Sequence, residues 1–214
     1  LSLESSPLSG GSTEGNGLFY QGTSASISAT PDTGYSFSGW SGGGAVDPNA
    51  SSTTVDMSQA RSLSASFSLN SYDLTVLAGS GGSVTGSGSF SHGTSPSISA
   101  TPDTGYSFIG WSGEGTADPN ASSTTVDMSQ ARTLSASFSL NSYDLTVLAG
   151  SGGSVTGSGS FSHGTSPSIS ANPDTGYSFN GWSGEGTADP NASSTTVDMS
   201  QARTLSASFS LNSY

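Results

Sequence analysis

The chain is 214 residues long with only 8% charged residues, and 15 acidic side chains against three arginines give a formal charge of -12. One cation per repeat, at Arg61, Arg132 and Arg203, cannot build the basic patch that releases counterions from phosphate, which excludes nucleic acid and anionic membrane surfaces as partners. Lysine and cysteine are both absent, so disulfides, thiolate metal sites and a Lys–Asn isopeptide lock are excluded as well.

Sliding the chain along itself by 71 residues brings Trp40, Trp111 and Trp182 into register, together with Tyr35, Tyr106 and Tyr177. The copies run 1–71, 72–142 and 143–213, so three small domains replace the one or two that length alone suggests. Copies two and three differ only at Thr101 against Asn172 and at Ile109 against Asn180, whereas copy one departs mainly over Leu1 to Gln21. Tyr214 stands where Tyr72 and Tyr143 stand and is expected to open a further copy, as in a segment of a longer array. Leu, Ile, Val and Phe together supply 35 residues, so each core must be small, and a domain of this size is marginally stable alone.

Within copy two, Tyr72-Asp-Leu-Thr-Val-Leu-Ala78 places Tyr72, Leu74, Val76 and Ala78 on one face of a half-buried strand. Gly79 to Ser83 is a turn, and Val84 opens a second, loose strand that ends at Phe90. Pro96, Ile98 and Ala100 alternate with serines in a third strand. Pro102, Asp103 and Gly105 then stand at turn spacing and predict a hairpin into a fourth strand, Tyr106-Ser-Phe-Ile-Gly-Trp111. Position 109 is Ile here but Ser38 and Asn180 in the other copies, which turns it to solvent and Tyr106 and Phe108 inward. Gly110 is expected to break the alternation, with Trp111 buried as the largest apolar group. A turn-rich segment follows over 112–123. Thr125-Val-Asp-Met128, a turn at 129–132 and the alternating run Leu134 to Leu140 predict a closing hairpin. No stretch has a helical period, and none approaches the ~20 apolar residues needed to span a bilayer or the charged start and apolar core of a signal peptide.

The order Tyr-x-Leu-Thr-Val, Gly-Gly-Ser-Val, then Ala100-x-Pro102-Asp-Thr-Gly-Tyr106-Ser-Phe108-x-Gly110-Trp111-Ser-Gly113, Thr-Val-x-Met and Leu-x-Ala-x-Phe resembles the divergent internalin B-repeat family of bacterial surface proteins. The match covers each copy, weakly before Phe19 in copy one. The resemblance implies mainly β structure, as three tandem small β-grasp-like modules in an elongated array; small β-sandwich modules are the alternative. It further implies a secreted or cell-surface location and no catalytic activity.

The candidate sites each have a plainer reading. His92 and His163 lie in turns, their counterpart in copy one is Gln21, and no alternative base stands near in sequence to support a Ser-His-Asp set, so exposed turn histidines are expected. Asp103, Glu114, Asp118 and Asp127 recur and are the only group that suggests a cation, calcium, but Glu114 is Gly43 in copy one and no alternating Asp/Asn loop is present. Asp127 and Arg132 are expected to pair across the last turn. Asn120-Ala-Ser122, with Asn49 and Asn191, fits a glycosylation acceptor, yet an Asx turn is the expected role. The Gly-rich stretch 79–88 lacks the Lys of a phosphate loop. No catalytic, cofactor or metal residue is therefore assigned.

The expected function is that of a spacer or stalk in a bacterial adhesin, monomeric, with the neighbouring repeats as its partners and no cofactor or membrane insertion. The alternatives are a glycan- or host-surface-binding module acting through segment 112–123, and an accessory module of a secreted enzyme. Leu140-Asn-Ser142 runs directly into Tyr143, so the junction between copies is expected to be short and stiff.

Overall fold

The structure is a computed structural model and describes residues 1–213; Tyr214, expected to open a further copy, lies outside the described residues. Strands fill most of it. In copy one these are β1 (Ser2–Ser6), β2 (Gly11–Glu14), β3 (Ser24–Pro31), β4 (Tyr35–Ser41), β5 (Ser52–Asp56) and β6 (Ser62–Leu69), with one 3-10 turn at Leu8–Gly10. Copy two holds β7 (Ser71–Ala78), β8 (Gly82–Thr85), β9 (Gly88–Ser91), β10 (Ser97–Pro102), β11 (Tyr106–Ser112), β12 (Ser123–Thr125) and β13 (Arg132–Leu140). Copy three holds β14 (Ser142–Ala149), β15 (Gly153–Thr156), β16 (Gly159–Ser162), β17 (Ser168–Pro173), β18 (Tyr177–Ser183), β19 (Ser194–Thr196) and β20 (Arg203–Leu211). No α-helix occurs among the described residues.

The described residues gather into two compact units. One comprises Leu1–Leu77, Thr85–Ser99 and Ser112–Ser135; the other comprises Ala78–Val84, Ala100–Trp111 and the chain from Ala136. Copy one lies in the first and copy three in the second, and each is a complete small sheet module.

Copy three shows how a serine-rich sequence closes a core. Its larger sheet runs β16-β14-β20-β18 and its smaller one β15-β17-β19. Period-2 alternation sends Leu145 and Val147 of β14, Leu205 and Ala207 of β20, and Ile169 and Ala171 of β17 inward, while Thr146, Ser206 and Ser170 between them turn to the opposite faces. These residues form one cluster with Trp182, Val197 and Met199, so two sheets close on a single core. Each fully buried aliphatic or Met side chain contributes about 1.5–3 kcal/mol, and four of them, Ile169, Val197, Met199 and Leu205, are wholly buried.

The single-strand readings largely hold. Leu74 and Val76 are buried and Tyr72 is half-buried, although Ala78 at the end of the strand is exposed. Ile109 is 58% exposed, and Trp40, Trp111 and Trp182 are all buried. The break in alternation is a β-bulge: the pairing of β18 with β20 slips between Phe179 and Gly181, and that of β4 with β6 between Phe37 and Gly39. The bulge lets Phe179 and Trp182 both reach the core, with ring centroids 5.5 Å apart.

The pairing readings do not hold. The Pro-Asp-Thr-Gly turn is no hairpin, since β17 and β18 belong to different sheets. It is a corner, closed by the Tyr177 N–H donating to the Asp174 carbonyl at 2.9 Å. The predicted closing hairpin is also a sheet change, because β19 pairs with β17 whereas β20 lies between β14 and β18. The single loose strand from Val84 to Phe90 is two strands, β8 and β9; in copy three the equivalent β15 and β16 join different sheets across Gly157-Ser158. Most unexpected from local patterning, the first and last strands of a copy pair in parallel, with Val147 opposite Leu205 and, in copy one, Leu3 opposite Leu63.

Candidate functional site

The one cation of each copy braces the loop that follows the tryptophan. Arg203 opens β20, and its side chain is only 12% exposed. Its Nε–H donates to the Asp198 carbonyl at 3.2 Å, and Nη2 reaches Ser200 Oγ at 3.3 Å and Asp198 Oδ2 at 3.4 Å. Nη1 lies 3.8 Å from Glu185 on the loop between β18 and β19. Ser200 Oγ–H donates to the Asp198 carboxylate at 2.7 Å. That bond, then the Ser200 backbone N–H and after it the Arg203 charge, hold the Asp198 carboxyl below its ordinary range despite some desolvation, and the same holds for Asp127 beside Ser129 and Arg132. The expected Asp127–Arg132 pair thus forms at 3.4 Å, with Glu114 added at 3.8 Å.

Asp118 also bonds within its own loop. Asp118 Oδ1 accepts the Asn120 N–H at 2.9 Å, and Asp189 accepts that of Asn191 in the same way. The Asx turn expected of Asn120 is therefore made by the aspartate two residues earlier, whose acceptor can close on a following amide while the Asn side chain stays in solvent. Asp47 does this for Asn49 in copy one. Among the described residues no group of three or more His, Asp and Glu is placed to hold a metal ion.

The tryptophans pin the same loop from inside. The Trp182 Nε1–H donates to the Ala192 carbonyl at 3.0 Å and its backbone N–H to the Pro190 carbonyl at 2.8 Å; Trp40 makes the corresponding bonds to Ala50 and Pro48. A buried ring with its one polar atom satisfied is an anchor and offers no platform for a sugar.

His92 and His163 are half-buried, which corrects the expectation of exposed turn residues. Each follows the short strand β9 or β16 and lies at the junction with the preceding copy. There β6 passes into β7 through Asn70 alone, and β13 into β14 through Asn141 alone. The Asn70 N–H donates to the Gly34 carbonyl at 2.8 Å, the His92 N–H donates to the Asn70 carbonyl at 2.8 Å, and Ser36 Oγ–H donates to Asn70 Oδ1 at 2.6 Å. Asn141 has the same three partners in Gly105, His163 and Ser107. Sequence reading found the short junction but not that its one Asn is bonded on both sides; its recurrence in Leu-Asn-Ser at the end of every copy is the signal that was there to use.

Copy one differs on its outer face. Leu18 and Tyr20 are fully or almost fully exposed, and Leu18 and Phe19 border a recess of about 470 Å³ that Leu1, Gln21 and Met57 also line. The corresponding positions of copy two are Ser89, Ser91 and Phe90. Among the described residues no helix is long and apolar enough to cross a membrane.

No curated protein matches the chain. The divergent InlB B-repeat domain matches it three times in tandem, over residues 1–71, 72–142 and 143–213. With the whole length covered, and with one small sheet module recurring around the same Trp, Arg and Asn, the chain belongs to the divergent InlB B-repeat family of bacterial surface proteins.

Proposed function

We propose that the three copies are spacer modules of an adhesin, outside the bacterial cell, that hold a binding region away from the surface, and that they do so as a monomer without catalysis or cofactor. The observation that carries this reading is the junction. Two strands of successive copies are separated by a single asparagine whose N–H, carbonyl and side-chain oxygen are all bonded, which leaves the connection few free dihedrals. The polar groups that could have formed a site support the same reading, because Arg203, Glu185, Asp198 and Trp182 are engaged in bracing their own loop.

Small-angle scattering of the 214-residue chain tests the proposal. A compact globule of this length has a radius of gyration of about 17 Å, whereas three copies of roughly 30 Å each laid end to end give about 25 Å or more. A value near the compact figure overturns the spacer reading.

A further inference from the structure

The junction contains a contact that a stiff linker does not require. The Asp-Thr-Gly turn of each copy ends in a glycine with positive φ: +84° at Gly34, +83° at Gly105 and +88° at Gly176. Over the first two lies the imidazole of the following copy. A Cβ on Gly34 would stand 2.0 Å from Cδ2 of His92, and one on Gly105 would stand 2.1 Å from Cδ2 of His163. Both rings are also held from their own copy, since Tyr72 and Tyr143 meet them edge-on at 6.1 Å. In both, Nδ1 is buried with no hydrogen-bond partner among the described residues.

The third copy separates the turn from the contact. Its turn is built alike, with the Asn212 N–H donating to the Gly176 carbonyl at 2.7 Å and Ser178 Oγ–H donating to Asn212 Oδ1 at 2.6 Å. Yet no described residue lies within 4 Å of a Cβ built on Gly176. The turn therefore forms without the histidine, and the histidine is what a following copy adds.

Copy one lacks the matching part. Its counterpart of His92 is Gln21, whose Nε2 donates to the Ser58 carbonyl of its own copy, and no strand equivalent to β9 or β16 precedes it. We propose that the Asp-Thr-Gly turn is a docking site whose partner is the histidine edge of a following repeat, so that copies couple in one direction and a copy with Gln at that position does not couple to one before it. This holds whether or not the array serves as a spacer.

The test compares turn glycines of equal φ in the whole chain. Gly105→Ala and Gly176→Ala incur the same backbone strain, but only the first drives a methyl into an imidazole. Gly105→Ala is expected to melt about 4–8 °C below Gly176→Ala in calorimetry. Adding His163→Ala should abolish that difference, and the imidazole proton resonances of His163 should shift in Gly105→Ala and stay in place in Gly176→Ala. Equal melting losses with unmoved His163 resonances overturn the proposal. Should Gly105→Ala fail to fold, His163→Gln, which installs the copy-one residue without strain, decides the matter. Exchange of the Asn141 amide is expected to rise at least about tenfold, and an unchanged rate overturns the docking site.

Discussion

Copy one and copy three enclose the same core from different openings. In copy three Leu145 and Val147 both come from β14, and Val147 stands opposite Leu205. In copy one the residue opposite the equivalent Leu63 is Leu3, two places earlier in the repeat, with Leu1 packed beside it. A slip of two residues along a strand keeps every side chain on its face, whereas a slip of one would turn the set outward. Copy three then spends its next residues on β16, a fourth strand of the larger sheet, and bonds Ser158 Oγ to the backbone N–H of Val147 at 2.9 Å. Copy one has no such strand; Asn16 Oδ1 takes the Leu3 N–H instead, and 15–23 runs irregularly with Leu18 and Tyr20 in solvent. The last four strands, β3–β6 in copy one and β17–β20 in copy three, thus define the module, and its first third is open to replacement.

The largest test of that division removes the shared anchor. Trp182→Ala and Trp40→Ala should each cost about 3–5 kcal/mol in denaturant unfolding, because each ring is buried and its Nε1–H is bonded to the loop it pins. A cost in one copy only would show that the two cores are not equivalent. Next in size, Ser158→Ala should destabilise copy three by about 1–2 kcal/mol by leaving the Val147 N–H unpartnered. Asn16→Ala should do the same to copy one, and a neutral result at either site would break the correspondence drawn between them.

Acid should act on the Arg brace. Because Ser200 and Arg203 hold the Asp198 carboxyl below its ordinary range in the folded state, the stability it contributes is present above that range and is lost as pH falls through the folded value. A carboxyl NMR titration should place Asp198 and Asp127 below an unstructured Asp, and Asp198→Asn should remove that part of the acid sensitivity of copy three. The smallest effect belongs to the outer face of copy one. Leu18→Ser and Tyr20→Ser, which restore the residues of copy two, should alter stability by no more than about 0.5 kcal/mol while reducing binding of a hydrophobic dye.

Each of these contrasts was legible in the sequence to a different degree. The burial of Leu74, Val76, Ile98 and Leu134 follows from alternation within one strand, and comparison of the copies placed Ile109 in solvent. The Asp127–Arg132 pair was legible because its members stand five residues apart across a turn. His92 was not, since its burial depends on Gly34 of the preceding copy, 58 residues away by its number.

What the sequence determined by itself is therefore local and periodic: the repeat, its strand faces, the break in alternation before the tryptophan, the buried tryptophan and the absence of any linker between copies. Tertiary structure decided which strands pair. A Pro-Asp-Thr-Gly turn has the same backbone preferences whether it closes a hairpin or turns a corner between sheets, and the parallel pairing of β14 with β20 joins residues at opposite ends of a copy. Alternation tells a strand which face to bury but carries no information on the neighbour it pairs with. That choice falls to the arrangement that buries Leu145, Leu205, Ile169 and Trp182 in one place.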